Sequence, residues 1–217
     1  MSAGTILVVV CAGAVGVLLA AEARKLQGLK LVAKVAASSA FVLLGALRWA
    51  PGDTAGAWIV LALALSAGGD VALARPRGLP AGMALFLAAH VAYLGAWHAM
   101  LPVGRWPLSP LAPLAVVSAL VLNWLWPHLG RLRWAVAAYV TVIALMVWGA
   151  LAVWRSGAWP AGGLVAAGAV LFWVSDLAVA RNRFVSEGFV NRAVGLPAYY
   201  AAQLMLAFVV GSGGGPA

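Results

Sequence analysis

The sequence predicts an all-α membrane protein with eight transmembrane helices in one bundle, and three observations carry that reading. Hydrophobic residues make up 65% of the 217-residue chain and charged residues only 9%, with a mean hydropathy of +1.02. A water-soluble fold this apolar would have no polar surface to present. The apolar residues fall into eight runs, each close to the roughly 20 residues that cross a bilayer as a helix. The cations lie singly or in small groups between those runs, which suits membrane topology and argues against nucleic-acid binding despite a net charge of +9.

The runs are 4–21, 30–47, 56–74, 81–100, 108–126, 133–154, 161–180 and 193–210. No positive stretch precedes the first run and cations follow it, so it is expected to be a retained helix rather than a cleaved leader. The single Cys11 lies within it, which offers neither a disulfide framework nor a cysteine metal site. Turn-forming and charged residues punctuate each gap: Arg24, Lys25 and Gly28; Pro51-Gly52-Asp53; Arg75-Pro76-Arg77-Gly78 with Pro80; Pro102 to Pro107; Pro127 to Arg131; Arg155 to Pro160; Arg181 to Asn191. Residues 1–210 are thus expected to form a single eight-helix transmembrane domain. The Gly-Ser-Gly-Gly-Gly-Pro-Ala of 211–217 is expected to be a disordered C-terminal tail.

Orientation follows from the cations. Loops one, three, five and seven, with their flanking turns, hold eleven of the fourteen: Arg24, Lys25, Lys30, Lys34, Arg75, Arg77, Arg131, Arg133, Arg181, Arg183 and Arg192. The other loops hold Arg48, Arg105 and Arg155. The positive-inside rule puts the odd loops in the cytoplasm and both termini outside a multi-pass cell-membrane protein. Most of the tryptophans, Trp49, Trp58, Trp97 and Trp154 among them, lie near segment ends, as an interfacial belt requires.

Two of the five acidic residues sit inside apolar segments. Asp70 heads Asp-Val-Ala-Leu-Ala-Arg-Pro-Arg at the end of the third run, and Asp176 heads Asp-Leu-Ala-Val-Ala-Arg-Asn-Arg at the end of the seventh, 106 residues later. A carboxylate in hydrocarbon costs about 2.5–3.5 kcal/mol on insertion scales, which makes the pair the first candidate for a functional site. Each lies five residues before an arginine, about 7–8 Å inside the cytoplasmic helix end. The repeat is consistent with two parallel four-helix halves, 1–4 and 5–8, although Ala/Leu/Val-rich sequence can imitate duplication.

Other polar groups are expected near that depth. Lys30, Lys34 and Ser38 share one face of the second helix; the sixth helix brings Tyr139, and the eighth brings Tyr199, Tyr200 and Gln203. His90 and Tyr93 on the fourth lie nearer the midplane. Lipid penalises unpaired polar groups, so these side chains should point into the bundle and can share a pocket open to the inner leaflet. Plainer roles exist for each: an aspartate as packing glue against a cation, Lys34 as its counter-ion, and His90 and the tyrosines as hydrogen-bonded core residues.

In order along the chain, Gly69-Asp70, Gly82-x3-Phe86-x3-His90-x2-Tyr93, Ser175-Asp176 with Arg183-Phe184, and Tyr199-Tyr200-x2-Gln203 resemble the YhhN-type lysoplasmalogenase family of integral membrane proteins. The resemblance runs from Lys34 to Gln203. One departure is visible: the family tends to place proline after its second-helix lysine, and here Val35 follows Lys34.

The resemblance implies an eight-helix hydrolase, without cofactor, that cleaves the vinyl ether bond of lysoplasmalogens to a fatty aldehyde and a glycerophospho-alcohol. Its partners would be a lysophospholipid or ether-lipid substrate and the surrounding membrane lipids. Asp70 and Asp176 are the expected catalytic pair, by analogy with glycoside hydrolysis, where two carboxylates about 6.5–9.5 Å apart leave room for a water. One would carry a proton and the other, next to a cation such as Lys34, would stay ionised; the sequence leaves open which is which. Lys34, His90, Tyr93, Tyr139, Tyr199, Tyr200 and Gln203 are the expected substrate-binding set, and the cytoplasmic arginines can hold the phosphate. A zinc variant is disfavoured because His90, His98 and His128 lie at different levels. A proton-coupled carrier using the same Asp/Lys/His set is the main alternative; a purely structural or lipid-binding membrane protein is a further one.

Overall fold

The computed structural model describes residues 2–75 and 77–213. Pro76 of the third loop and residues 214–217 of the expected tail lie outside the described residues, as does Met1. Eight α-helices follow in order: α1 (Ala3–Ala23), α2 (Gln27–Arg48), α3 (Thr54–Leu73), α4 (Leu79–Met100), α5 (Leu111–Leu125), α6 (Arg133–Ser156), α7 (Gly162–Ala180) and α8 (Phe189–Val209). Each matches one apolar run.

Local chemistry sets the ends. The Ser2 hydroxyl accepts from Thr5 N at 3.2 Å at the start of α1, and the Asp53 carboxylate accepts from Gly56 N at 2.7 Å at the start of α3. These bonds satisfy donors that a helix N-terminus leaves free. Pro80 lies in the first turn of α4, where its missing N–H is not needed. Gly157, with φ +64°, closes α6 in the left-handed conformation. Beyond α7 the chain widens into a π-helical turn over Arg181–Val185.

Among the described residues, seven helices, α1 to α7, are long and apolar enough to cross a membrane. The eighth is diluted by Asn191, Arg192, Pro197, Tyr199, Tyr200 and Gln203. That dilution goes with position: ten of its 21 residues are buried, and it packs on α1, α2, α3 and α7. By contrast α5 buries only Leu114 and Leu125 and turns Val116, Val117 and Leu120 outward, as a lipid-facing helix should. The C-terminal side of α8 is not free. The Gly211 N–H donates to Asp53 Oδ2 at 3.1 Å, Arg48 donates to the Val210 and Phe208 carbonyls, each at 3.0 Å, and Trp159 Nε1 donates to Ser212 Oγ at 3.1 Å. The first residues of the expected tail are therefore anchored.

The packing repeats between halves. The starts of α5 to α8 follow those of α1 to α4 by 106–110 residues. The pairs α1–α2, α2–α3 and α3–α4 recur as α5–α6, α6–α7 and α7–α8, and across the middle α4 meets α6 as α8 meets α2. Close approach is built in at Gly69, where a Cβ would come within 2.7 Å of the Phe86 ring. That contact lets α3 and α4 draw together beside Asp70.

Candidate active site

Asp70 lies in the last turn of α3 and is 2% exposed. Three donors converge on it. Lys34 Nζ is 3.2 Å from Oδ1, while Ser38 Oγ donates to Oδ2 at 2.7 Å and the Tyr199 hydroxyl donates to the same oxygen at 2.8 Å. Lys34 and Ser38 reach one carboxylate because residues four apart share a helix face; Tyr199 comes from α8. A buried ion needs a partner and filled hydrogen bonds, and Asp70 has both.

Asp176 holds the matching place on α7 but has different company. The Tyr139 hydroxyl of α6 donates to its Oδ2 at 2.9 Å, and His90 Nε2 of α4 faces that oxygen at 3.4 Å. The opposite ring nitrogen, Nδ1, lies 2.6 Å from the Phe86 carbonyl. A carbonyl only accepts, so Nδ1 carries hydrogen. His90 is fully buried, stacked obliquely on Phe172 at 4.5 Å and edge-on to Tyr139 at 5.3 Å. In each half the aspartate sits on the third helix and is met by the second helix of its own half and the fourth of the other.

Both aspartates line one cleft, with Lys34, Tyr139, Ser175 and Tyr199. Its empty volume, counting the solvent in its open mouth, is about 1150 Å³. Phe86, Met83, Val140, Ile143 and Trp173 supply apolar walls, and Arg183 and Arg192 stand along it with Asn182 and Asn191. The asparagines tie the π-helical turn to the start of α8: Asn191 Nδ2 donates to Asn182 Oδ1 at 3.2 Å and to the Ser186 carbonyl at 2.8 Å, and Arg181 donates to Asn191 Oδ1 at 2.5 Å.

Of the residues expected at the site, Asp70, Asp176, Lys34, Tyr139 and Tyr199 come together on the cleft. His90 touches Asp176 without lining the cleft, and Tyr93, Tyr200 and Gln203 do not line it either. The Tyr93 hydroxyl donates to Gln203 Oε1 at 2.7 Å, both side chains fully buried, and Tyr200 packs edge-on to Tyr199 at 4.9 Å. The residues not anticipated are the buried asparagines and Phe172, which with Phe86 of the fourth-helix motif forms an aromatic partition that touches Tyr199 and, through Phe172, His90. Asn182 and Asn191 had a signal in the sequence, two amides beside three arginines right after the Asp176 segment. Phe172 had none. Among the described residues, no group of three or more His, Cys, Asp or Glu side chains is arranged to hold a metal ion.

An all-helical bundle with seven membrane-length apolar helices among the described residues, and an apolar-walled cleft on which two carboxylates meet lysine and tyrosine partners, defines a multi-pass membrane protein with an internal polar site. The chain belongs to the YhhN family, which matches residues 29–210. It is 34% identical over 163 residues to a protein of Mycobacterium tuberculosis named lysoplasmalogenase, covering 69% of this chain and 58% of that one. It is 38% identical over 152 residues to lysoplasmalogenase TMEM86B of Rattus norvegicus (67% and 58%) and 34% identical over 157 residues to that of Sus scrofa (69% and 61%). The chain thus spans about 58–61% of the length of these curated relatives. No solved structure matches it.

Proposed function

We propose that the protein is an integral membrane hydrolase that cleaves the vinyl ether bond of lysoplasmalogens, releasing a fatty aldehyde and a glycerophospho-alcohol. The observation that carries the reading is the shared cleft: two carboxylates in contrasting surroundings, with apolar walls for one acyl-type chain and arginines beside them. The names of the relatives point to the same chemistry.

The reaction needs a proton delivered to the β-carbon of the vinyl ether. The C=C electrons form the new C–H bond and the ether oxygen stabilises the resulting cation. A carboxylate beside that cation lowers its energy and takes a proton from the water that adds to it. The hemiacetal then collapses: its hydroxyl proton leaves, the C–O bond breaks, and the glycerol oxygen is protonated. Asp70 and Asp176 between them supply the acid and the base, and the net change is one water consumed. Tyr139 and Tyr199 hold the carboxylates in place, and Arg183 and Arg192 are suited to a phosphate, which guanidinium groups bind through paired N–H donors. The cleft faces the cytoplasmic leaflet and both termini lie outside, as the cation distribution supports.

Purified protein in detergent micelles, supplied with a lysoplasmalogen, is expected to release aldehyde, and to release none from the saturated alkyl-ether analogue. An inert protein that instead moves protons or a solute across liposomes would replace this reading with the carrier.

A further inference from the structure

The two aspartates are equivalent in position and unequal in chemistry, and the difference assigns their roles. We propose that Asp176 and His90 hold one shared proton and together form the acid of the site, with Asp70 the partner that is ionised in the resting protein. The delivery step rests on the hydrolase reading; the shared proton does not.

Donors and charges distinguish the two aspartates. Asp70 has an ammonium at 3.2 Å and two hydroxyl donors, so its buried negative charge is matched. Asp176 has no lysine or arginine within 4 Å among the described residues; the groups that face it are the Tyr139 hydroxyl from α6 and His90 Nε2 from α4. The Asp176 side chain is 16% exposed on the cleft, so a bare carboxylate there would be a part-buried charge with no cation beside it, which is a costly arrangement. His90 is as constrained. Its Nδ1 is committed to the Phe86 carbonyl, so the only ring atom free to gain or lose a proton is Nε2. That atom is buried, has no hydrogen-bond partner of its own and faces Asp176 Oδ2. A neutral Nε2 is an acceptor facing an acceptor unless a proton lies between them. One proton satisfies both, whether drawn on the carboxyl or on the imidazole, and leaves the pair without net charge.

His90 does not line the cleft, so the shared proton reaches a substrate only through Asp176. When Asp176 gives the proton to the β-carbon, the pair is left as a carboxylate beside a neutral imidazole, and its new negative charge faces the new cation. Asp70 then accepts a proton from the adding water. In the collapse of the hemiacetal, Asp176 takes back the hydroxyl proton and Asp70 returns its own to the departing glycerol oxygen, so both acids end as they began. His90 is a positioning residue in this scheme: it never touches the substrate and fixes where the proton waits.

The test reads the proton itself, without substrate. Infrared spectra of wild type, Asp70→Asn and Asp176→Asn at neutral pH are compared with the ¹⁵N spectrum of histidine-labelled protein. The expected result is a carboxylic-acid C=O band that only Asp176→Asn removes, or a His90 ring protonated on both nitrogens that Asp176→Asn returns to the neutral form. A band removed by Asp70→Asn, or a neutral His90 beside a fully ionised Asp176, overturns the proposal. A protein that passes this test and releases no aldehyde keeps the shared proton and loses the hydrolase reading. In an active protein, His90→Gln is expected to lower kcat about 100-fold, in the range of lost acid–base assistance, with little change in KM.

Discussion

Lys34 Nζ lies 3.2 Å from Asp70 Oδ1, and both side chains are buried, at 8% and 3% exposure. The pair joins α2 to α3 at the point where α8 adds Tyr199. Removing one member of such a pair strands the other charge. Lys34→Met is therefore expected to destabilise the protein by about 3 kcal/mol, and Lys34→Met with Asp70→Asn to be more stable than Lys34→Met alone. Thermal unfolding in detergent checks both; equal melting of the single and double variants would mean that the lysine is not matching the aspartate's charge.

The Tyr199 hydroxyl is one of three donors to Asp70, and a hydrogen bond to a charged group contributes about 1.5–3 kcal/mol. Tyr199→Phe keeps the ring that packs on Phe86 and Phe172 and deletes only the donor. It is expected to fold and to lose roughly tenfold in rate. Steady-state aldehyde release measures it, and an unchanged rate would remove Tyr199 from the site.

Gly69 lets the Phe86 ring lie against α3, and Phe86 is in turn held by Phe172 and Tyr199. Gly69→Ala is expected to cost about 1–3 kcal/mol by overpacking, since the added Cβ would come within 2.7 Å of the ring. A melting temperature equal to wild type would show that the ring moves freely.

The helices were legible in the sequence because apolar run length reports a membrane span directly. The matched aspartates were legible because a carboxylate inside such a run is conspicuous. The layers around them were not. Spacing along α4 put His90 and Tyr93 on related faces but could not tell that one meets Asp176 while the other bonds Gln203, 110 residues away. In a chain where nearly every helix is apolar all round, hydropathy does not say which neighbour a face meets. The eighth apolar run begins at 193, four residues after the helix starts at Phe189, because Asn191 and Arg192 look like loop; Asn191 is instead buried with three partners. Asp53, which the sequence presents only as part of the turn Pro51-Gly52-Asp53, caps α3 and holds the chain after α8.

Tyr93 and Gln203 give a clean test of packing against substrate contact. Tyr93→Phe or Gln203→Leu alone leaves a buried polar atom without its partner, at a cost of about 1–3 kcal/mol, whereas the double variant removes both. The double variant is expected to melt within about 1 kcal/mol of wild type and to keep its aldehyde release. Loss of activity in a stable double variant would return the two residues to the substrate-binding set.

Membrane orientation can be read with single cysteines, because Cys11, the only native one, is fully buried. Ser186→Cys, in the exposed loop before α8, should react with a membrane-impermeant thiol reagent only from the cytoplasmic side, and Gly104→Cys, between α4 and α5, only from outside. The reverse pattern would invert the topology.

Aldehyde release by Asp70→Asn and Asp176→Asn, measured beside wild type on folded protein, tests most directly whether the two aspartates act across one cleft. Each variant is expected to lose at least 100-fold in rate, as removal of an acid or base group does; Asp176→Asn is expected to keep its melting profile, whereas Asp70→Asn, which strands the Lys34 charge, is expected to melt lower and is compared per folded molecule. Full activity in both would contradict the mechanism.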